Sequence, residues 1–323
     1  MLKDTEYAYA VARIRCNEAK LLPSSTVESL INASDYNDAL KILSECGYGD
    51  FEKYGEDVVL SNRIKEAFEL IYKSAPEKSC LDFLIVKNDF HNIKACLKGM
   101  IVGADVSKLM LSPSSIDASL LKDALETKDY SKLPSYIADC LKEAYDLITT
   151  TMDGQVAEIF IDKKCIEASV YLAKLSKDEF SVSLAILMAT LSNIKIALRC
   201  LKTGKDKNFI MSALSDVDGV DKQALCSAVL EGEEALCGFV KSIGFELLSE
   251  SIKNGYAAFE KLSDDMLIEK IRHAKYQCLG ISPLVAYYFA TDAEVKTVRI
   301  ILSCKKNGLD IDSIRERVRV LYV

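Results

Sequence analysis

The sequence predicts an all-α protein built from three homologous helical units. Three observations lead there. Proline and glycine are scarce, 5 and 14 in 323 residues, and a β-sandwich or barrel leans on both for its turns. Apolar residues recur at helical spacing, and period-two alternation never persists. A segment also recurs at an interval of 101 residues, and such self-similarity is the signature of repeated structural units.

Taken in order, residues 7–21 read as one helix, and residues 24–43 as a small helix, a short turn and a second helix. Ser25-Thr26-Val27-Glu28 fits a capping box, in which a hydroxyl and a carboxylate satisfy backbone N–H groups at a helix start. Residues 58–72 form the next helix, and Ala75-Pro76 breaks it, because a residue before proline avoids the helical region. Residues 80–99 follow, then a second break at Ser112-Pro113. Residues 114–133 repeat the small-helix pattern of 24–43, with Asp129-Tyr130 matching Asp35-Tyr36. Residues 155–175 and 180–202 form two long helices, separated by the capping box Ser176-Lys177-Asp178-Glu179. Residues 220–236 are a weaker third copy of the small-helix segment. Residues 266–278 lead into 283–304, where Ser282-Pro283 supplies an N-cap and a proline at the first helical position.

The repeat is anchored by Asn92, Asn193 and Glu294. Around them Lys94, Lys195 and Lys296 stay in register, as do Ile93, Ile194 and Val295. Each copy follows another amphipathic helix after a break. The chain is therefore divided into residues 1–103, 104–206 and 207–323, each a plausible domain size. Three such units can close around an axis or stack as a solenoid. Their size and small number favour closure.

In the first repeat helix Phe90, Ile93, Cys96, Leu97 and Met100 form one apolar stripe, and in the second Leu191, Ile194, Ala197, Leu198 and Leu201 do the same. The three lysines lie off this stripe, facing either water or a partner. If the units close around an axis, equivalent side chains form a ring about it. The third helix departs, with Asp292 in place of Phe90 and Leu191, and Arg299 in place of Leu97 and Leu198. Either these make ordinary ion pairs, such as Asp292 with Lys296 at i,i+4, or that face meets something polar. Lys94, Lys195, Lys296, Asp292 and Arg299 are the candidate partner-contact residues.

Composition excludes several classes. A net charge of −7 argues against broad nucleic-acid binding, which wants a basic face. Residues 296–319 nevertheless carry seven basic residues against three acidic, a solvated helix face or a docking face for an acidic partner or lipid headgroups. The longest strongly apolar run, 184–191, is far short of the roughly 20 residues a membrane helix needs. The N-terminal residues lack the basic start and apolar stretch of a secretion signal. The 11 cysteines include no C-x-x-C spacing, which points to reduced, mostly buried thiols.

No catalytic signature is present. Thr203-Gly204-Lys205-Asp206 lacks the preceding glycine and the following Ser/Thr of a Walker A loop. His91 and His273 fall in different repeats, so no Cys–His nucleophile pair is supported. Asp264-Asp265 reads as a helix start, where carboxylates offset the dipole. No cofactor, metal or small-molecule substrate is expected.

Several segments, in order, resemble one family. Tyr7-Ala8-Tyr9-Ala10-Val11-Ala12-Arg13-Ile14-Arg15 with Glu18-Ala19-Lys20-Leu21-Leu22 is similar to the opening of the C subunit of bacterial and archaeal V-type (A-type) ATPases, whose eukaryotic relative is the d subunit. Cys46-Gly47-Tyr48-Gly49-Asp50 resembles the family's first turn, and Asp89-Phe90-His91-Asn92-Ile93-Lys94 its central signature. Residues 294–301 with Lys305 and Asn307-Gly308, then Ile314-Arg315-Glu316-Arg317-Val318-Arg319 with Tyr322-Val323, resemble its closing segments. The resemblance implies three similar helical bundles forming a funnel with pseudo-threefold symmetry. It implies a non-catalytic central-stalk component on the cytoplasmic face of the membrane, seated between the shaft of the soluble head and the proteolipid ring and carrying torque between ATP hydrolysis and ion transport. The competing expectations are a helical-repeat adaptor outside any rotary machine and an all-helical enzyme with an unrecognised site.

Overall fold

Long apolar stripes with few breaks should give long helices, and the computed structural model, which describes residues 3–323, is all-α. Among the described residues the single β feature is an isolated bridge between Val217 and Val220. The helices are α1 Ala8–Glu18, α2 Ser24–Asn32, α3 Tyr36–Glu45, the one-turn α4 Phe51–Tyr54 and α5 Glu56–Ser74. There follow α6 Asp82–Val102, α7 Ala118–Thr127, α8 Ser135–Thr151, α9 Gly154–Ser176 and α10 Glu179–Lys202. Next come α11 Lys207–Ala213, α12 Lys222–Glu231, α13 Glu233–Ser242 and α14 Glu246–Lys253, and last α15 Tyr256–Arg272, α16 Ser282–Lys306 and α17 Ile311–Arg317.

The helix starts correct several sequence expectations. Ser25 lies inside α2, one residue past its start at Ser24, and makes no N-cap. Asp178, rather than Ser176, caps α10, its carboxylate accepting from the Ser181 N–H. A carboxylate also suits the positive end of the helix dipole. Asp35 caps α3 in the same way. Pro283 lies in the first turn of α16, where a missing N–H costs nothing, but as its second residue, since Ser282 begins the helix and Ile281 is the N-cap. Asp264 and Asp265 do not start a helix. Gly255, with φ +99°, begins α15 earlier, so both carboxylates stand in its middle.

The chain separates into two compact units, one made of the stretch through Lys78 together with Asn254–Val323, the other of Ser79–Lys253. In the first, α16 is the spine. α1, α2, α3, α5 and α15 all pack on it. Its Val295, Val298, Ile301 and Leu302 share one core with Leu30, Ile31, Leu43 and Leu60 from the opening sixty residues. The helix that leads into the first repeat copy in sequence, α5, thus lies along the third copy's long helix. Burial of this many aliphatic side chains, at roughly 1.5–3 kcal/mol each, is what holds the two ends of the chain together.

In the second unit α9 is central, packed on α6, α8 and α10. α6 and α9 run antiparallel, as the pairs Lys94–Asp162, at 2.7 Å, and Lys98–Glu158 show. α10 is long and apolar enough to cross a membrane by length and composition. Its Leu184, Leu191, Ile194 and Leu198 are buried, and the helix packs on α9 and α12, so its hydrophobicity is spent on a protein core. The expected stripe on α6 is buried from Phe90 through Leu97, whereas Met100 is exposed. α6 ends at Gly103, a left-handed C-cap.

Gly99 marks the tightest approach on α6. A Cβ there meets Val106 Cγ1 at 2.6 Å and the Ala104 carbonyl at 3.0 Å. Gly99→Ala is expected to lower stability by about 1–3 kcal/mol through overpacking. Thermal unfolding followed by circular dichroism checks this, and adding Val106→Ala is expected to restore part of the loss.

Candidate partner-contact site

The repeat anchors turn inward. Asn92, Asn193 and Glu294 are 1%, 0% and 2% exposed, on the long helices α6, α10 and α16. A buried polar group is costly unless it is hydrogen-bonded, and each of these is. Asn92 clasps the backbone of Leu111, donating from Nδ2 to its carbonyl at 3.1 Å and accepting its N–H at 2.8 Å. Asn193 clasps Ser215 with the same pair of bonds, at 2.9 and 3.0 Å. Glu294 clasps Leu22, accepting its N–H at 2.5 Å. Leu22, Leu111 and Ser215 each stand just before the small-helix segment that the sequence aligns. Each long helix thereby holds the backbone just before one of these small-helix segments.

The third clasp is ionic. The Tyr48 hydroxyl donates to Glu294 at 2.6 Å, and Arg63 stands 3.4 Å from the same oxygen. Arg63 also lies over the Tyr48 ring and donates to the Lys20 carbonyl. Burial, then the Glu294 charge, pushes the Tyr48 hydroxyl far above its ordinary range. Burial opposes the Arg63 charge, but Glu294, Tyr48 and Tyr287 more than offset it and leave its pKa raised. An amide closes a clasp over a nearby loop. A carboxylate makes stronger, charge-assisted bonds, and here it joins segments 272 residues apart.

The in-register lysines lie beside these clasps and off the core. Lys94 is half-buried and pairs with Asp162 on α9. Lys195 is exposed on α10. Lys296 is exposed and pairs with Asp292 at 3.3 Å and Asp264 at 3.8 Å. Asp292 forms this i,i+4 pair and is buried, as its counterparts Phe90 and Leu191 are. Arg299 is exposed and bonds Asp57 at 2.9 Å. Lys296 and Asp292 border a small cavity of about 30 Å³ with Asp264, Phe289 and Arg319. Lys94 and Lys195 belong to one unit, Lys296, Asp292 and Arg299 to the other.

The basic C-terminal stretch is largely spoken for. Arg315 pairs with Glu28, Arg319 with Asp264, and Lys305 donates to the Ala33 carbonyl. Asp265 accepts the Val320 N–H at 2.7 Å, so the mid-helix carboxylates of α15 strap down the chain's end. Among the described residues no group of three or more His, Cys, Asp or Glu side chains is placed to hold a metal ion. None of the 11 cysteines forms a disulfide.

Against this geometry the comparisons are decisive. Residues 10–317 match the model of the family described as ATP synthase (C/AC39) subunit. The chain belongs to this family. The C subunit of the V-type sodium ATPase of Enterococcus hirae is 24% identical to it, over 98% of this chain and 99% of that protein. The C subunit of the A-type ATP synthase of Methanocaldococcus jannaschii is 22% identical over 96% and 85% of the two chains. The C subunit of the V-type ATP synthase of Thermus thermophilus is 22% identical over 97% and 98%. An expectation read from scattered motifs is thus met along nearly the whole chain.

The clasping role of Asn92, Asn193 and Glu294 is absent from the sequence expectations, which take these positions only as marks of the register. The signal was present: a polar residue recurring beside an apolar trio on a buried helix needs a partner. Asn193→Ala leaves Ser215 N–H and C=O buried without partners and is expected to cost about 1–3 kcal/mol. Glu294→Ala strands a buried guanidinium as well and is expected to cost about 3–5 kcal/mol. Urea unfolding midpoints of the two variants against the parent check both values and their order.

Two carboxylates on α6, Asp82 and Asp89, set a pH dependence. Burial, then the Asp89 charge, pushes Asp82 at the start of α6 up to about 6. The folded state therefore holds this proton to higher pH than the unfolded chain, where the carboxyl titrates near its ordinary value of about 4. Stability from this group is full below about pH 4 and falls as pH rises to about 6. Asp82→Asn is expected to raise stability at pH 7 by on the order of 1 kcal/mol, allowing for solvent screening of a half-exposed group, and to change nothing at pH 4. Melting curves at the two pH values check it, and a gain at pH 4 contradicts it.

Proposed function

We propose that this chain is the non-catalytic central-stalk component of a V/A-type rotary ATPase, a socket between the central shaft and the membrane proteolipid ring that transmits torque for proton or sodium transport. The observation that supports this most is the family match over residues 10–317, with relatives named as C subunits aligned along nearly their full lengths. On this reading the protein sits peripherally on the cytoplasmic face of the membrane, needs no cofactor, and binds neither nucleic acid nor a small-molecule substrate. Residues 1–103, 104–206 and 207–323 are three repeats of a funnel with pseudo-threefold symmetry.

Physical chemistry suits the role. A torque coupler must be stiff, and close-packed helices with hydrogen-bonded buried polar groups are stiff. Coupling needs surfaces rather than a reactive pocket, and in-register charges on the long helices offer them. Lys94, Lys195 and Lys296, with Asp292 and Arg299 beside the third, are the residues proposed to meet the shaft or ring.

Reversing Lys94, Lys195 and Lys296 together to Glu is expected to weaken co-purification with the shaft proteins or with proteolipid-ring membranes severalfold. Circular dichroism must first show a retained helical fold, since Lys94 and Lys296 also make internal ion pairs. Unchanged binding to both partners removes these lysines from the contact.

A further inference from the structure

We propose that Asn254 is a self-modification site, where the folded chain loses ammonia through a cyclic imide and is left with an aspartyl or isoaspartyl residue, while Asn307 is protected from the same reaction. The proposal concerns the chain's own chemistry and does not rest on the rotary reading. The sequence holds two Asn-Gly pairs, Asn254-Gly255 and Asn307-Gly308, and each follows a lysine. A glycine after asparagine leaves the side-chain amide open to the next backbone nitrogen, because no Cβ stands in the way. With the same Lys-Asn-Gly tripeptide at both places, the fold decides which one reacts.

The glycine N–H must give up its proton, and its nitrogen must reach the asparagine Cγ. At Asn307 every part needed is tied down. Gly308 N–H donates to the Lys305 carbonyl at 3.1 Å, and Asn307 N–H donates to the Ser303 carbonyl at 3.1 Å. The Asn307 side chain donates from Nδ2 to that same carbonyl at 2.7 Å. Leu309 N–H, bonded to the Cys304 carbonyl at 3.0 Å, closes the turn. A ψ of 6° at Asn307 points the Gly308 nitrogen away from the side chain it would have to attack. Reaction there waits for the turn to open.

Nothing comparable holds Asn254. It is exposed between the end of α14 at Lys253 and Gly255, the N-cap of α15. Neither its side chain nor the Gly255 N–H makes a hydrogen bond to any described residue. A Cβ at either glycine would meet nothing within 4 Å, so crowding does not separate the two sites and hydrogen bonding does. In the reaction the Gly255 nitrogen passes its proton to water and bonds to Cγ, and the Cγ–Nδ2 bond breaks to release ammonia. Water then adds to one of the two imide carbonyls and breaks its bond to that nitrogen. Opening at Cγ leaves an aspartyl residue. Opening at the backbone carbonyl leaves an isoaspartyl residue, whose main chain runs through Cγ and is one carbon longer. Either branch consumes one water, releases one ammonia and adds one negative charge, with no oxidation or reduction.

The test uses the full folded chain, incubated at neutral pH in water enriched in oxygen-18 and then digested briefly with trypsin in ordinary water. Cleavage after Lys253 and Lys306 releases the two sites as separate peptides for mass spectrometry. The Asn254 peptide is expected to take up one heavy oxygen severalfold faster than the Asn307 peptide. In concentrated urea the two rates are expected to converge, because the bonds that protect Asn307 are gone. Asn254→Gln is expected to silence the first signal and leave the second unchanged. Equal rates in the folded chain, a faster rate at Asn307, or a ratio that survives unfolding each overturns the proposal. So does conversion of Asn254 without heavy oxygen, which places the reaction in the digest rather than in the folded protein.

Discussion

Everything in the unit that joins the chain's two ends depends on a carboxylate kept out of water. Glu294 is almost fully buried on α16, and a charge in that position is tolerated only with partners on every side. Leu22 N–H, the Tyr48 hydroxyl and Arg63 supply them, and all three come from the first sixty-three residues. The N-terminal helices must therefore be docked whenever α16 is folded. Around this point the shared aliphatic core supplies the energy, while the clasp fixes the register in which the two chain ends meet.

The same position carries asparagine in the other two copies, and the contrast is physically sensible. Leu111 and Ser215 follow their clasping asparagines by 19 and 22 residues, so loop closure is cheap and two neutral bonds suffice. Leu22 lies at the far end of the chain, and the entropy of bringing it to α16 is greater. Charge-assisted bonds and an arginine stacked on a tyrosine meet that larger cost. Each of the three long helices is thus bonded through a buried side chain to backbone outside itself.

Much of this is legible in the sequence. The helical class follows from apolar spacing and the scarcity of breakers, and the long helices α6, α10 and α16 lie where the repeat places them. The apolar trio Ile93, Ile194 and Val295 is buried in all three copies. What is not legible is long-range. Nothing local says that α5 lies along α16 rather than along the helix that follows it in sequence, because both choices bury the same amphipathic stripe. Asp264 and Asp265 read as a helix start because carboxylates gather there, yet they bind a tail 55 residues away. The lysines stand out as repeated charges, while the neighbouring Asn, Asn and Glu, whose burial gives them a structural role, look like mere markers of register.

Native-state hydrogen exchange on the intact protein tests the closure most directly. If Glu294 and the shared core bind the chain's ends into one cooperative unit, amides of α2, α3 and α5 open with the same free energy as those in the middle of α16. Exchange in which those N-terminal helices open far more readily than α16, with α16 protected by α15 alone, would contradict it.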